Sequence, residues 1–302
     1  MRQSQEQINH GPEMTPSLPA ETQKRILDMR HKVGSIIVSG GLGLIAINGP
    51  CAQTDNYAQI HQEGTQLDEL NNVHPNLVLL QRLPPYKPRS NPLDWHGQET
   101  TDPDGSLNNL TERTIFGSNL AFEIRNRDHF KRYLHLPALI WSGGRSVDDD
   151  QLMRKLATYD QSISIGVKNG IDGQLEPAIA QVKLIQSLRS PGSAPAILIY
   201  RGGENATTPE SWEKMYKRAL ELTEGRLIVD VAHGTEMAHD KDFKKSIIGQ
   251  IKAMDHVIEL AKVNYAPRGI MIEASDTKSP TDPHMPFHLA LQGTLDLASI
   301  ML

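Results

Sequence analysis

The sequence predicts an α/β protein: a (β/α)8 TIM barrel preceded by an N-terminal helical extension. Three observations carry that prediction. Eight short apolar runs recur along the chain, apolar on both faces, which is the pattern of buried parallel strands. Segments of helical periodicity lie between several of them, so strand and helix alternate. At eight repeats in roughly 250 residues, closing the sheet on itself is the economical architecture. A doubly wound open sheet is the alternative, but no Gly-x-Gly-x-x-Gly follows the first strand.

The elements follow in order. Residues 1–19 are rich in Gln, Ser, Pro and Glu and read as a loosely attached arm. Thr22 to about Val38 is helical, with Ile26, Met29, Val33 and Ile37 on one stripe. This divides the chain into an arm and helix, 1–38, and a catalytic barrel, 39–302. The expected strands are Leu44–Ile47, Leu77–Gln81, Asn119–Phe122, Ala138–Trp141, Ile163–Val167, Ala196–Tyr200, Leu227–Val231 and Gly269–Ile272. The expected helices between them are Tyr57–Asn71, Asp148–Tyr159, Glu176–Leu188, Pro209–Thr223, Asp242–Lys262 and Pro286–Leu302. Pro84 to Arg113 interrupts the rhythm with Pro-Pro, Asn-Pro, Asp-Pro and Asp-Gly turn signals, the mark of a long loop that is functional or disordered.

Composition excludes several classes of function. The net charge is −5, from 31 Lys+Arg against 36 Asp+Glu, with no basic block, so no nucleic-acid partner is expected. No stretch approaches the roughly 18 apolar residues of a membrane span. Met1 to Pro19 lacks a positive-then-apolar leader, and a single Cys allows no internal disulfide; both point to the cytoplasm. Any anionic ligand must be held by a few positioned cations.

Those cations fall at the expected strand ends. Arg82, Lys87, Arg89 and Ser90 follow the second strand, Glu123 ends the third, and Gly144-Arg145 follows the fourth. Lys168-Asn169-Gly170 follows the fifth and Arg201-Gly202-Gly203 the sixth. Any one of these alone is an ordinary loop charge. Together at one rim, Arg82, Lys87, Arg89, Arg145, Lys168 and Arg201 would repel each other without anions between them. The cluster implies ligands with several negative charges, most simply phosphates and a carboxylate, which Arg grips bidentately. The lone Cys51, in Gly49-Pro50-Cys51 after the first strand, is open to packing, nucleophilic attack or metal binding. With His233, Glu273 and Asp282 it would make a mixed thiolate, imidazole and carboxylate set. Such a set suits a divalent ion such as Mn, Fe, Co or Zn rather than Ca, though no local spacing joins the four.

Taken as an ordered set, these motifs resemble the type I 3-deoxy-D-arabino-heptulosonate 7-phosphate (DAHP) synthases, which open the shikimate pathway. The resemblance runs from about Gln23 to the C-terminus. Its pieces are Gly49-Pro50-Cys51, Arg82 with Lys87-Pro88-Arg89, Gly144-Arg145, Lys168-Asn169-Gly170-Ile171-Asp172-Gly173, Arg201-Gly202-Gly203, Asp230 to His233, Phe243-Lys244-Lys245 and Met271-Ile272-Glu273. It implies a (β/α)8 barrel that condenses phosphoenolpyruvate with erythrose 4-phosphate, with Cys51, His233, Glu273 and Asp282 on the divalent metal. It places Gly144, Arg145 and Arg201 on the phosphoenolpyruvate phosphate, and Arg82 and Lys168 on its carboxylate. Lys87, Arg89 and Ser90 would face the aldose phosphate, and Glu123 with Lys168 would handle the attacking water. Lys87, Glu123, Lys168 and His233 are thus the catalytic candidates. A homo-oligomer is implied as well.

The chain also departs from the family pattern. Arg145 is followed by Ser146-Val147-Asp148-Asp149 in place of Thr-Thr-Glu-Ser, Ser90 replaces Thr, and Ala52-Gln53-Thr54-Asp55 replaces Ser-Ile-His-Asp. The segment from Asp172 to Arg201 is too short for the hairpin where aromatic amino acids often inhibit the family. These departures fall mostly on the aldose side. The alternatives are therefore the same chemistry on another aldose phosphate, or a non-catalytic phosphoenolpyruvate-binding homologue.

Overall fold

In a computed structural model of the chain, every expected apolar run forms a strand. The structure describes residues 20–39, 43–50, 57–82, 119–123, 138–142, 157–158, 161–170, 172–203, 208–233, 243–276 and 284–302. The strands are β1 (Leu44–Gly49), β2 (Leu77–Arg82), β3 (Asn119–Glu123), β4 (Leu139–Ser142), β5 (Ser164–Lys168), β6 (Ala196–Tyr200), β7 (Leu227–Asp230) and β8 (Gly269–Glu273). The helices are α1 (Ala20–Ser39), α2 (Tyr57–Val73), α3 (Glu176–Ser187), α4 (Pro209–Leu222), α5 (Phe243–Lys262) and α6 (Phe287–Met301). The arm, the 84–113 interruption and most of the expected helix Asp148–Tyr159 lie outside the described residues.

Each strand pairs in parallel with the next, and β8 pairs with β1, so the hydrogen-bonded ring closes. A helix follows β1, β5, β6, β7 and β8; the connections after β2, β3 and β4 lie mainly outside the described residues. The core has two layers. Leu44, Leu79, Ile165, Val167, Leu198 and Ile270 point outward against the helices. Ile45, Ile47, Leu80, Trp141, Ile199 and Met271 fill the interior. Successive residues on a strand face opposite ways, so both faces are apolar because both are buried. The expected stripe of α1 explains its place: its Val33 and Ile37, together with Ile36, belong to the inner cluster, and Met29 packs against it, so α1 packs against the interior of the ring.

Gly49 ends β1 where β2 comes closest. A Cβ there would sit under 3.0 Å from the backbone oxygen and nitrogen of Arg82, so no side chain fits. The close approach sets the end of β1 against Arg82.

Candidate active site

The alternation that fills the barrel with aliphatic side chains turns polar at its last layer. Two residues past Leu80, Gly166, Ile199, Ile228 and Met271 on the inner face come Arg82, Lys168, Arg201, Asp230 and Glu273. All five are buried. They stand at the carboxyl ends of the strands, where barrel enzymes build their active sites.

Charges this close and this buried must pair. Arg82, 1% exposed, donates from Nη1 to Oε1 of Glu273. Lys168, 4% exposed, holds its Nζ 2.9 Å from Oδ2 of Asp230, which is wholly buried. Nδ1 of His233 lies 2.9 Å from Oδ2 and 3.1 Å from Oδ1 of the same carboxylate. The Ala232 N–H donates to Asp230 Oδ1 at 3.0 Å. On the far side of its ring, Nε2 of His233 is 3.2 Å from Glu273 Oε1. Lys168, Asp230, His233, Glu273 and Arg82 thus form one continuous chain of contacts drawn from β5, the end of β7, β8 and β2.

The electrostatics assign the protons. Burial drives the Asp230 carboxyl up, but His233 and Lys168 outweigh it and hold it far below the usual carboxylate range. Burial also pulls the His233 imidazole below its ordinary value, against the upward pull of Asp230 and Glu273. A neutral His233 keeps its proton on Nδ1, donated to Asp230, and turns the Nε2 lone pair toward Glu273. That is the tautomer a metal-ligating histidine needs, with a carboxylate behind it. Nε2 and Oε1 are then two electron-pair donors from adjacent strand ends directed at one place, the nitrogen and oxygen types that a borderline divalent ion accepts. The residues present fit such an ion. Cys51 and Asp282 lie outside the described residues, and among the described residues no group of three or more potential ligands occurs.

Arg201 supplies the anion side. It is buried, and among the described residues its Nε has no hydrogen-bond partner. Asn169 explains why the Lys-Asn-Gly and Arg-Gly-Gly pieces belong together. Its Oδ1 accepts the Arg201 N–H at 2.8 Å and its Nδ2 donates to the Gly202 carbonyl at 2.7 Å. Gly202 turns that carbonyl inward with φ 74°, a conformation that favours glycine. Asn169 therefore ties the end of β5, with Lys168, to the chain that carries Arg201.

Of the expected site residues, the structure brings Arg82, Lys168, Arg201, His233 and Glu273 to one rim. Arg82 and Glu273, expected in different roles, touch. Glu123 closes β3, but its side chain lies outside the described residues, as do Lys87, Arg89, Ser90, Gly144 and Arg145. Sequence reasoning gave no separate role to Asp230 or Asn169. The signals were present: an Asp three residues before the His at a strand end, and an Asn directly after a strand's terminal Lys.

A closed parallel barrel with paired buried charges at the strands' carboxyl ends has the layout of a barrel enzyme. Residues 18–296 match the model of the DAHP synthetase I family, and the chain belongs to that family. It is 26% identical over 293 residues to the Tyr-sensitive phospho-2-dehydro-3-deoxyheptonate aldolase of Escherichia coli, covering 82% of this chain and 78% of that one. It is 25% identical over 266 residues to the phenylalanine-inhibited phospho-2-dehydro-3-deoxyheptonate aldolase of Saccharomyces cerevisiae, covering 75% and 68%. The solved structure of the phospho-2-dehydro-3-deoxyheptonate aldolase of Francisella tularensis superposes with a TM-score of 0.74 at 21% identity, over 94% of this chain and 93% of that one. No helix among the described residues is long and apolar enough to cross a membrane.

Proposed function

We propose that this chain is a metal-dependent (β/α)8 synthase that condenses phosphoenolpyruvate with erythrose 4-phosphate, giving DAHP and phosphate. Family membership supports the reaction, and the observation that carries the site is the chain of contacts from Lys168 to Arg82 with the buried Arg201 beside it. Cys51, His233, Glu273 and Asp282 would hold the divalent ion. When bound, it supplies Lewis-acid polarisation of the aldehyde oxygen.

The chain's own residues do the rest. Arg201, with Arg145 and the Gly144 backbone, binds the phosphoenolpyruvate phosphate and stabilises it as it leaves. Lys168, paired with Asp230, and Arg82 face the carboxylate. Lys87, Arg89 and Ser90 hold the aldose phosphate. Glu123 and Lys168 manage the water that adds where phosphate departs. Fixing both substrates in attack geometry removes several kcal/mol of barrel-independent entropic cost. Asp230 fixes the His233 ring so that Nε2, not Nδ1, faces the metal side. The same reading makes the protein a cytoplasmic homo-oligomer, with 1–38 as arm and helix and 39–302 as catalytic barrel.

The test is phosphate release from phosphoenolpyruvate, with and without erythrose 4-phosphate, on metal-loaded and chelator-treated protein. Turnover only with both substrates and metal is expected, and Cys51→Ala should abolish it. Full turnover by the metal-free protein refutes the metal assignment, and phosphoenolpyruvate binding with no turnover on any aldehyde refutes the synthase. Ser90 and Ala52-Gln53-Thr54-Asp55 depart from the family pattern on the aldose side. They favour, as second reading, another aldose phosphate, which a panel of aldehydes in the same assay would reveal.

A further inference from the structure

Glu63 is 1% exposed on α2, and nothing in the proposed chemistry uses it. Its Oε1 accepts the Asp276 N–H at 2.8 Å and the Ser275 hydroxyl at 2.9 Å; Ser275 also reaches Oε2 at 3.2 Å. Gln59 Nε2 stands 3.5 Å from Oε1. Ser275 and Asp276 are the second and third residues after Glu273. Asp276 passes the hold onward: its Oδ1 accepts the Phe287 N–H at 3.0 Å, at the first turn of α6. The backbone crosses between the same stretches, from Met285 N–H to the Glu273 carbonyl at 2.9 Å and from Ser275 N–H to the Met285 carbonyl at 3.1 Å.

α2 is itself fixed to β2. Asn71 donates to the Leu79 carbonyl at 3.0 Å and accepts the Leu79 N–H at 2.8 Å, and Gln81 donates to the Ile60 carbonyl at 2.7 Å. Gly64 lets the helix lie against Gln81; a Cβ there would be 2.7 Å from Gln81 Oε1. β2 with α2 therefore grips the end of β8 from two sides. Arg82 holds Glu273 from inside the barrel, and Glu63 holds Ser275 and Asp276 from outside.

We infer that Glu63 is a positioning residue: its carboxylate fixes the end of β8, and through it the Glu273 carboxylate at the proposed metal site. This rests on the metal-dependent reading above. A carboxylate is required because it accepts from all of these donors at once, which an amide cannot do. It is retained against its own burial, which pushes the Glu63 carboxyl up to about 7 even though the Asp276 N–H, the Ser275 hydroxyl and Gln59 pull it down. Among the described residues Asp276 is the charged group that acts on it, and it raises it further; Gln59 on the same helix and Ser275 on the β8 side are uncharged. Taking up a proton near neutrality therefore changes the hold in kind: one acceptor site is lost from the network that sets the β8 end, while the buried charge that the fold resists is removed.

The test uses the full chain and Mn2+ alone as probe. Free Mn2+ is measured by electron paramagnetic resonance for the natural protein and Glu63→Gln from pH 6 to 8.5. The variant should bind on the order of tenfold more weakly at pH 8, the usual size of an outer-shell effect, and within about twofold at pH 6. The ratio of affinities cancels the titration of the ligands, which both proteins share. A ratio near one throughout, or one that does not change with pH, overturns the inference; a purely structural Glu63 would change thermal stability without a pH-dependent ratio. If the natural protein takes up no Mn2+, the metal reading fails by itself. The metal-free protein then decides about Glu63: backbone amide resonances of Glu273 to Asp276 should titrate near neutral pH and cease to do so in Glu63→Gln. Unchanged titration in the variant overturns it.

Discussion

Replacing Asp230 by Asn is the sharpest test of the paired-charge chain. Asn keeps the shape but removes the negative charge between Lys168 and His233, whose Nζ and Nδ1 both lie 2.9 Å from Oδ2. Lys168 would then be a buried cation without its anion, a change that costs about 3–5 kcal/mol. At about 2.1 cal/mol/K per residue, unfolding a chain of 302 residues has an entropy near 0.6 kcal/mol/K, so the melting temperature should fall by about 5–8 °C. Lys168→Met alone should cost less, because Asp230 keeps the His233 ring and the Ala232 N–H. The double variant removes both charges, and replacing a buried pair together is often close to neutral. Its loss should fall short of the sum of the single losses by about 2 kcal/mol or more, read by urea unfolding of all four proteins. Additive losses, or a melting temperature for Asp230→Asn within a degree of the natural protein, would refute the coupling.

Asp230 also predicts acid behaviour: its folded-state pKa is depressed, so its stabilisation is present above the ordinary value near 3.9 and is lost as pH falls below it. The acid unfolding limb of Asp230→Asn should be shallower than that of the natural protein. Glu63 has the opposite sign. Its raised pKa means ionisation disfavours the fold, so roughly 3 kcal/mol of stability should drain away between pH 4.5 and about 7; Glu63→Gln should keep it, and parallel stability curves for the two proteins would sink that. Arg201→Ala should raise the KM for phosphoenolpyruvate about 10–100-fold in the phosphate-release assay, the loss of one or two charged hydrogen bonds. Gly49→Ala should cost about 2–3 kcal/mol or more by driving a Cβ into the Arg82 backbone. Gly192→Ala, with φ 85° but nothing within 4 Å, should cost only about 1–2 kcal/mol in thermal melts.

The strands were legible as apolar runs, and β1, β2, β5, β6, β7 and β8 are buried on both faces, so such a run needs no partner to be recognised. Their ends moved by a residue or so, and the reason is chemical: Arg82, Lys168 and Glu273 are charged, yet they continue their strands because the barrel interior turns polar at its last layer. The strand-end cations were legible as a group, since residue type and position are local facts. Their pairing was not. Arg82 meets Glu273 across 191 residues of sequence, in a geometry set by how the ring closes. Asn169 acts on a neighbour that β5–β6 adjacency supplies, and Asp230 reaches past β6 to Lys168 on β5. Glu63 was readable in principle: Ile60, Glu63, Gly64 and Leu67 follow i, i+3, i+4, i+7, which puts an acid on the buried stripe of α2.

The two ion pairs at the mouth share a design that individual residues hide. Each couples a cation proposed to face substrate, Arg82 or Lys168, to an acid on the proposed metal side, Glu273 itself or Asp230 behind His233. A bare cluster of these cations would repel itself apart in a buried site. Paired this way, the cations are held in place before an anion arrives, and Asp230 fixes the His233 ring. Electrostatic pre-organisation of this kind acts most strongly where water is excluded, because the groups need not reorient during reaction. It also means that the substrate side and the metal side cannot be altered independently. Removing Asp230 should disturb Lys168 and His233 together, so in one protein the affinities for phosphoenolpyruvate and for Mn2+ should fall together. A loss confined to either ligand would separate what the geometry joins.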